Sequence, residues 1–287
     1  MATSAKQYSI GIDIGGTKIR GGLWNGEKII ADYELGTPDD NLNHFLIMFK
    51  AVVDPLFEKA GQDNVKVKGI GIGTPGEIEE KTGKLYGCPN LPTLAGKPVG
   101  DLIKEMYDYP IVIDNDAKAF IRGEVLAGAA MGYKNVYGLT LGTGIGAAWW
   151  INNGTYRGAF GGANEAGHSI VNLSAGMDFE ATFQHLLKNN PAKLSQEAIL
   201  GDQLAQKAFE EFGKNLGALM ANIVNLIEPE AFVLGGSVMG SHDLFLSEAK
   251  KAMKQYVLLP FAASKVKVLK SKLGKDAGVI GAALLVA

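Results

Sequence analysis

The sequence predicts an α/β protein built as two similar halves, and three observations carry that prediction. Segments of strand period alternate with segments of helical period along the whole chain. Each half opens with a β-hairpin whose turn is rich in glycine and threonine: Gly15-Gly16-Thr17 in the first half, Gly142-Thr143-Gly144 in the second. The order of elements then restarts beyond residues 115–120, an internal repeat at the level of the fold.

In the first half, Tyr8, Ile10, Ile12 and Ile14 share one face of a strand, and Ser9, Gly11 and Asp13 share the other. Gly15-Gly16-Thr17-Lys18 turns the chain, Ile19 to Trp24 returns, Asn25-Gly26 turns it again, and Lys28 to Glu34 supplies a third strand. Asn43 to Ala60 has helical spacing, with Phe45, Phe49, Val52, Val53, Leu56 and Phe57 on its apolar side. Val65 to Ile72 is the next strand and leads into Thr74-Pro75-Gly76. A helix near Val99 to Tyr107, a strand over Pro110 to Asp114 and a helical run from Ala117 to Ala130 follow.

In the second half, Val136–Leu141 and Ile145–Ile151 form the hairpin, closed by Asn152-Asn153-Gly154. Helices are predicted over Phe179–Lys188 and in one long stretch from Glu197 to Ile227. A strand over Ala231–Leu234 passes through Gly235-Gly236-Ser237 to a helix after Asp243. Val266–Lys270 is the last strand and Ala277–Leu285 a small-residue helix. The expected domains are a smaller one over 1–117, with the C-terminal helix (276–287) packing back onto it, and a larger one over 118–275.

The chain has 287 residues, 47% hydrophobic and 20% charged, with a net charge of −2. No broad basic surface is implied, so nucleic acid and anionic membranes are not expected as main partners. One cysteine, Cys88, cannot make an internal disulfide, which fits a reducing compartment. The first strand begins within the first ten residues, with no apolar signal core, and no run of ~18 apolar residues follows. A soluble, cytoplasmic protein is expected. The 38 glycines, against 10 prolines, cluster at strand ends in GIDIGGTK, GIGIGTPGE and LGTGIG, where glycine lets a ligand approach the backbone.

Those turns carry the chemistry. Gly15 and Gly16 present successive backbone N–H groups to an anion, Thr17 adds a hydroxyl, Lys18 a charge, and Asp13 can hold Mg²⁺ directly or through water. The competing reading is an ordinary hairpin turn. A P-loop is excluded, because GxxxxGK[ST] is absent and a strand follows. Gly142-Thr143-Gly144 is a second such turn, and two of them can hold the β- and γ-phosphates of a nucleotide triphosphate from two sides. Gly235-Gly236, between strand and helix, suits an adenosine or α-phosphate contact at a helix N-terminus. Asn115-Asp116 lies at a strand's end and a helix's start, where an N-cap competes with a functional reading.

Asp13 to Lys18, Thr74-Pro75-Gly76, Pro89-Asn90-Leu91, Asn115-Asp116-Ala117, Leu141 to Gly146, Glu165-Ala166-Gly167-His168 and Leu234 to Ser237 occur in one order over nearly the whole chain. That order resembles the ROK family (repressor, open reading frame, kinase), whose enzymes are bacterial sugar kinases. The resemblance implies an actin/hexokinase-like (ribonuclease H-like) duplicated two-domain fold with a cleft between its domains. It implies an ATP- and Mg²⁺-dependent phosphotransferase of the hexokinase/glucokinase type, with glucose the leading substrate. N-acetylmannosamine, N-acetylglucosamine, fructose and mannose are the alternatives. Asp116 would take the proton of the attacking hydroxyl, and Thr74, Gly76, Asn90, Asn115, Glu165, His168 and Glu180 would line the sugar site. A homodimer is a further family expectation.

Two departures stand out. Many relatives follow the histidine with CxCGxxGCxE, whose cysteines bind zinc with it, whereas this chain has Val171 to Glu180 without a cysteine, so no zinc site is expected. Lys118 stands where many relatives have asparagine, either as a solvated helix residue or as a change in the charge beside Asp116. A sugar-responsive regulator is the rival function. It needs an N-terminal DNA-binding module, for which the residues before Tyr8 leave no room.

Overall fold

The computed structural model describes residues 7–76, 78–79, 84–88, 91–172, 174, 176–188 and 190–287. The chain opens with an antiparallel meander, β1 (Gln7–Ile14), β2 (Lys18–Trp24) and β3 (Ile29–Gly36). Strand alternation buries Ile10, Ile12 and Ile14 with Ile19 and Leu23 under α1 (Leu42–Gln62), whose stripe of Phe45, Phe49, Val52, Val53 and Leu56 faces them. β4 (Lys66–Thr74) runs parallel to β1. After α2 (Val99–Met106), β5 (Ile111–Asn115) runs parallel to β4 and passes directly into α3 (Asp116–Leu126).

The second sheet has β6 (Val136–Leu141), β7 (Ile145–Ile151) and β8 (Gly154–Thr155) as its meander. A short ribbon of β9 (Ile170–Asn172) and β10 (Met177–Asp178) precedes α4 (Phe179–Leu186), α5 (Pro191–Ile199) and α6 (Gln203–Ile227). β11 (Ala231–Gly235) joins β6 in parallel; α7 (Leu246–Tyr256), α8 (Pro260–Lys265) and β12 (Lys267–Lys270) follow, before the closing helix α9 (Ala277–Ala283). The sheet orders are β3-β2-β1-β4-β5 and β8-β7-β6-β11-β12: third, second, first, fourth, fifth strand in both. The internal repeat is thus a repeat of topology.

Two compact units result: Met1–Met131 with Arg157–Ala163 and Lys272–Ala287, and Gly132–Tyr156 with Asn164–Ser271. The first unit runs past the boundary expected at residue 117, because α3 packs on α9. A Cβ on Gly281 would lie 1.7 Å from Ala119 O, and one on Gly123 2.6 Å from Ala277 O. α9 in turn lies flat on the sheet, where a Cβ on Gly11 would come within 2.0 Å of Val279 O and one on Gly71 within 1.8 Å of Ala282 O. Several strand glycines therefore make room for a helix and not for a ligand.

The second unit's core is aromatic: Phe212 stacks with Phe179 at 6.0 Å and meets Phe245 edge-on at 4.9 Å. Two predicted elements differ. The long helix breaks into α5 and α6, because Gly201 has φ +99° and the Asp202 side chain caps α6 by accepting from the Leu204 and Ala205 N–H groups. α3 stops at Leu126, where the Glu124 carboxylate accepts from Ala129 N–H at 2.7 Å. Ser237–Leu244 is 3-10 helix with an irregular Ser241, and the helix expected after Asp243 is α7, beginning at Leu246. Among the described residues no helix is long and apolar enough to cross a membrane.

Candidate active site

In the first unit the candidate residues gather at the carboxyl ends of β1, β4 and β5, the edge where ligands sit in α/β sheets. Parallel register sets Asp13 beside Gly73, Gly73 beside Asp114, and Thr74 beside Asn115. Gly73 lets α3 start close to the sheet: a Cβ there would lie 3.2 Å from Ala119 Cβ and 3.6 Å from Asp116 Cα. Asp13 and Asp116 are both half-buried. Burial pushes the Asp13 carboxyl up to about 7, the Asp116 charge adds to the rise, and Arg20 opposes it. Asp116 is raised as well, by burial first, against the Ala117 N–H that favours its charged form.

Arg20 faces Asp13 in the hairpin register, yet its guanidinium is taken up by Asp32 at 2.9 Å and Asp276 at 2.6 Å. Two interacting carboxylates with so little positive charge to spare suit a hard divalent cation such as Mg²⁺. Gly278 makes room for one of them, since a Cβ there would lie 2.4 Å from Asp13 Oδ2.

Asn115 is the N-cap of α3. Its Oδ1 accepts from the Ala117 and Lys118 N–H groups at 3.0 and 3.2 Å, and its Nδ2 donates to Gly76 O at 3.4 Å. Gly76 has φ +95°, and a Cβ there would lie 2.0 Å from Gly87 O. Thr74 is buried at the end of β4, and the Cys88 thiol donates to Pro75 O at 3.3 Å beneath the same turn. In the β1–β2 turn the Gly15 N–H is spent on Lys18 O at 2.8 Å, while Gly16, Thr17 and Lys18 are exposed. Lys18 makes an exposed ion pair with Glu34, a weak arrangement that an arriving anion can displace.

In the second unit the β6–β7 turn repeats that device, with Gly142 N–H donating to Gly144 O at 3.0 Å. Gly236, at φ +91°, lies directly on the end of β6: a Cβ there would come within 2.2 Å of Leu141 O. The Gly142–Gly144 and Gly235–Gly236 turns are thereby neighbours. The segment after Gly236 is 3-10, so the α-helical N-terminus expected there is absent. Glu180, in the first turn of α4, reaches the hairpin. Its Oε2 accepts from Ile145 N–H at 2.6 Å, and a Cβ on Gly144 would lie 2.8 Å from that oxygen.

Glu165 and His168 are exposed, at the edges of a single 3-10 turn over Ala166–His168. His168 Nδ1 lies 3.0 Å from Asp178 Oδ2, and Asp178 caps α4 by accepting from Ala181 N–H at 2.7 Å. The Asp178 hydrogen bond pushes the His168 imidazole up, with nearby Glu180 and Glu165 adding to it. Burial works to raise Asp178, but the Ala181 N–H and His168 bring it down.

Comparison with known proteins decides the family. The ROK family model matches residues 9–287. The chain belongs to the ROK family. It is 27% identical over 313 residues to the glucokinase of Streptomyces coelicolor, covering 96% of each. The crystal structure of a ROK family glucokinase from Streptomyces griseus in complex with glucose and AMPPNP is 28% identical. It covers 97% of this chain and 99% of that one, at a TM-score of 0.80. The fold is accordingly the actin/hexokinase-like one. The xylose repressor of Bacillus subtilis is 29% identical over 308 residues, 97% of this chain and 77% of the repressor.

Set against these ROK relatives, three residues read differently in the structure than in the sequence. Lys118 is buried, not solvated, and its Nζ donates to Gly161 O at 2.7 Å. Glu180 is engaged by the hairpin through one oxygen, which leaves Oε1 and the hydrogen bond to Gln184 at 3.4 Å for any sugar-facing part. Asp178, counted along CxCGxxGCxE from Val171, occupies the third cysteine's place and takes the histidine itself. Its N-cap position was readable before the Phe179–Leu186 helix; its bond to His168 was not. Asn90 lies outside the described residues.

Proposed function

We propose that this ROK protein is an ATP-dependent sugar kinase that transfers the γ-phosphoryl group to a hexose hydroxyl, with glucose to glucose 6-phosphate as the leading reaction. The observation that carries the reading is Asp116, a half-buried carboxylate with a raised pKa at the first position of α3, set beside Asp13. A general base works best when its pKa approaches the working pH, and burial moves Asp116 in that direction. In this reading Asp116 takes the proton as the hydroxyl oxygen bonds to phosphorus and the bond to ADP breaks. Asn115 Nδ2, Glu165 and His168 hold sugar hydroxyls, and Glu180 orients the Gly142–Gly144 turn and keeps Oε1 for the sugar. Gly16, Thr17 and Lys18, with Gly142–Gly144 and Gly235–Gly236, supply the phosphate and nucleotide contacts.

Asp13, with Asp116 near it, would hold Mg²⁺ directly or through water, and that ion neutralises charge on the phosphates. Glucose leads because the glucokinases of Streptomyces are among the relatives. The reading carries with it a cytoplasmic setting and a dimer of identical chains. The xylose repressor likeness keeps a sugar-binding regulator as the second reading. A coupled assay with ATP, Mg²⁺ and a panel of hexoses and acetylated hexosamines separates them. Turnover of glucose with the highest kcat/KM is expected, while sugar binding without any turnover would favour the regulator.

A further inference from the structure

The segment Arg157–Ala163 belongs to the first unit although the residues before and after it belong to the second. What holds it there is polar. Its one large apolar side chain, Phe160, is fully exposed at 101%. Arg157 Nη2 donates to Asp114 Oδ2 at 2.9 Å, and Lys118 Nζ donates to Gly161 O at 2.7 Å. Asp114 is buried and also accepts from Asn115 N–H at 2.9 Å, with Arg122 Nη2 at 3.6 Å. Gly158 and Gly161 sit at φ +71° and +92°, a backbone that turns the Gly161 carbonyl toward the lysine, and Ala163 N–H closes the segment on Arg157 O at 3.3 Å.

The spacing gives this arrangement a purpose. Asp114 and Lys118 lie two residues on either side of Asp116, and they grip points four residues apart on the segment. Burying an ammonium and a carboxylate is costly unless each is paired, and apolar packing would hold a loop at less expense. Charged, directional bonds fix register, which apolar contacts do less well. The next residues along the chain are Asn164 and Glu165.

We propose that Asp114 and Lys118 are positioning residues that staple the 157–163 segment to the start of α3 and so fix the sugar-binding segment that follows it. The sugar part of this inference rests on the kinase reading above; the staple itself does not. Lys118→Met keeps the stem and removes the donor, and Arg157→Gln removes the other point. In Lys118→Met, amide hydrogen exchange over residues 158–165 should quicken about tenfold, the loss of one charge-assisted hydrogen bond. The KM for sugar should rise about tenfold with the KM for ATP within about twofold, and Lys118→Arg should restore most of it.

Unchanged exchange in both variants would overturn the staple. Quickened exchange with an unchanged sugar KM, or equal rises for sugar and ATP, would overturn its positioning role. Should the unsubstituted protein turn over no sugar, the kinase reading falls on its own, and the exchange measurement still decides the staple.

Discussion

Several charged side chains around the candidate site answer to partners that are not their neighbours in sequence. Asp13 is pushed up to about 7 because burial and Asp116 outweigh an Arg20 already shared with Asp32 and Asp276. His168 and Asp178 are the opposite case, a pair in which each favours the other's charged form. The signs fix the pH window. His168, raised, contributes stability below its usual value of about 6.5 and loses it as pH climbs through the raised one. Asp178, lowered, contributes above about 3.9 and loses it as pH falls through the lowered one. The pair is therefore complete near pH ~5.5, and Asp178→Asn, which keeps the α4 cap, should lower Tm most there and progressively less toward pH ~9. An equal loss at both ends of that range would contradict the pairing. Asp116 and His168 were legible because their motifs are contiguous. Arg20 and Asp178 were not, because hairpin register and a ten-residue excursion join them to Asp13 and His168.

At the scale of elements, glycine has two distinct uses. Gly16, Gly142 and Gly144 lie at hairpin turns, as their sequence context indicates, whereas Gly11, Gly71, Gly123 and Gly281 let α9 approach the sheet and α3. Local pattern does not separate the two, since the packing partner arrives from the other end of the chain. Gly281→Ala, with its Cβ 1.7 Å from Ala119 O, should cost about 3 kcal/mol in urea unfolding or prevent folding. Gly61→Ala, in α1 with nothing within 4 Å, should instead be neutral or stabilising by up to ~1 kcal/mol. Equal effects at the two positions would show that helix propensity, and not close packing, governs the first. Helical periodicity ran unbroken across Gly201 and Asp202, so the α5–α6 break was carried by turn and cap chemistry that periodicity does not register.

For the whole molecule, the repeat read from two glycine hairpins is a repeat of sheet order, and the same edge of the first sheet gathers Asp13, Thr74, Asn115 and Asp116. Topology was legible in part, because a glycine hairpin opens each half, whereas the third strand of the second meander, the two-residue β8, is too short to show a strand period. The extent of the first unit was not, because α3 is drawn to it by a helix more than 150 residues later. The central claim is that this fold presents Asp116 as the base of a phosphoryl transfer. The most direct measurement is kcat for glucose with Asp116→Asn, which keeps the size and the helix start, alongside glucose affinity by calorimetry. A fall in kcat of about 10²–10⁴-fold with affinity changed less than about tenfold is the predicted result. Retention of kcat within about threefold in a folded Asp116→Asn protein would contradict it.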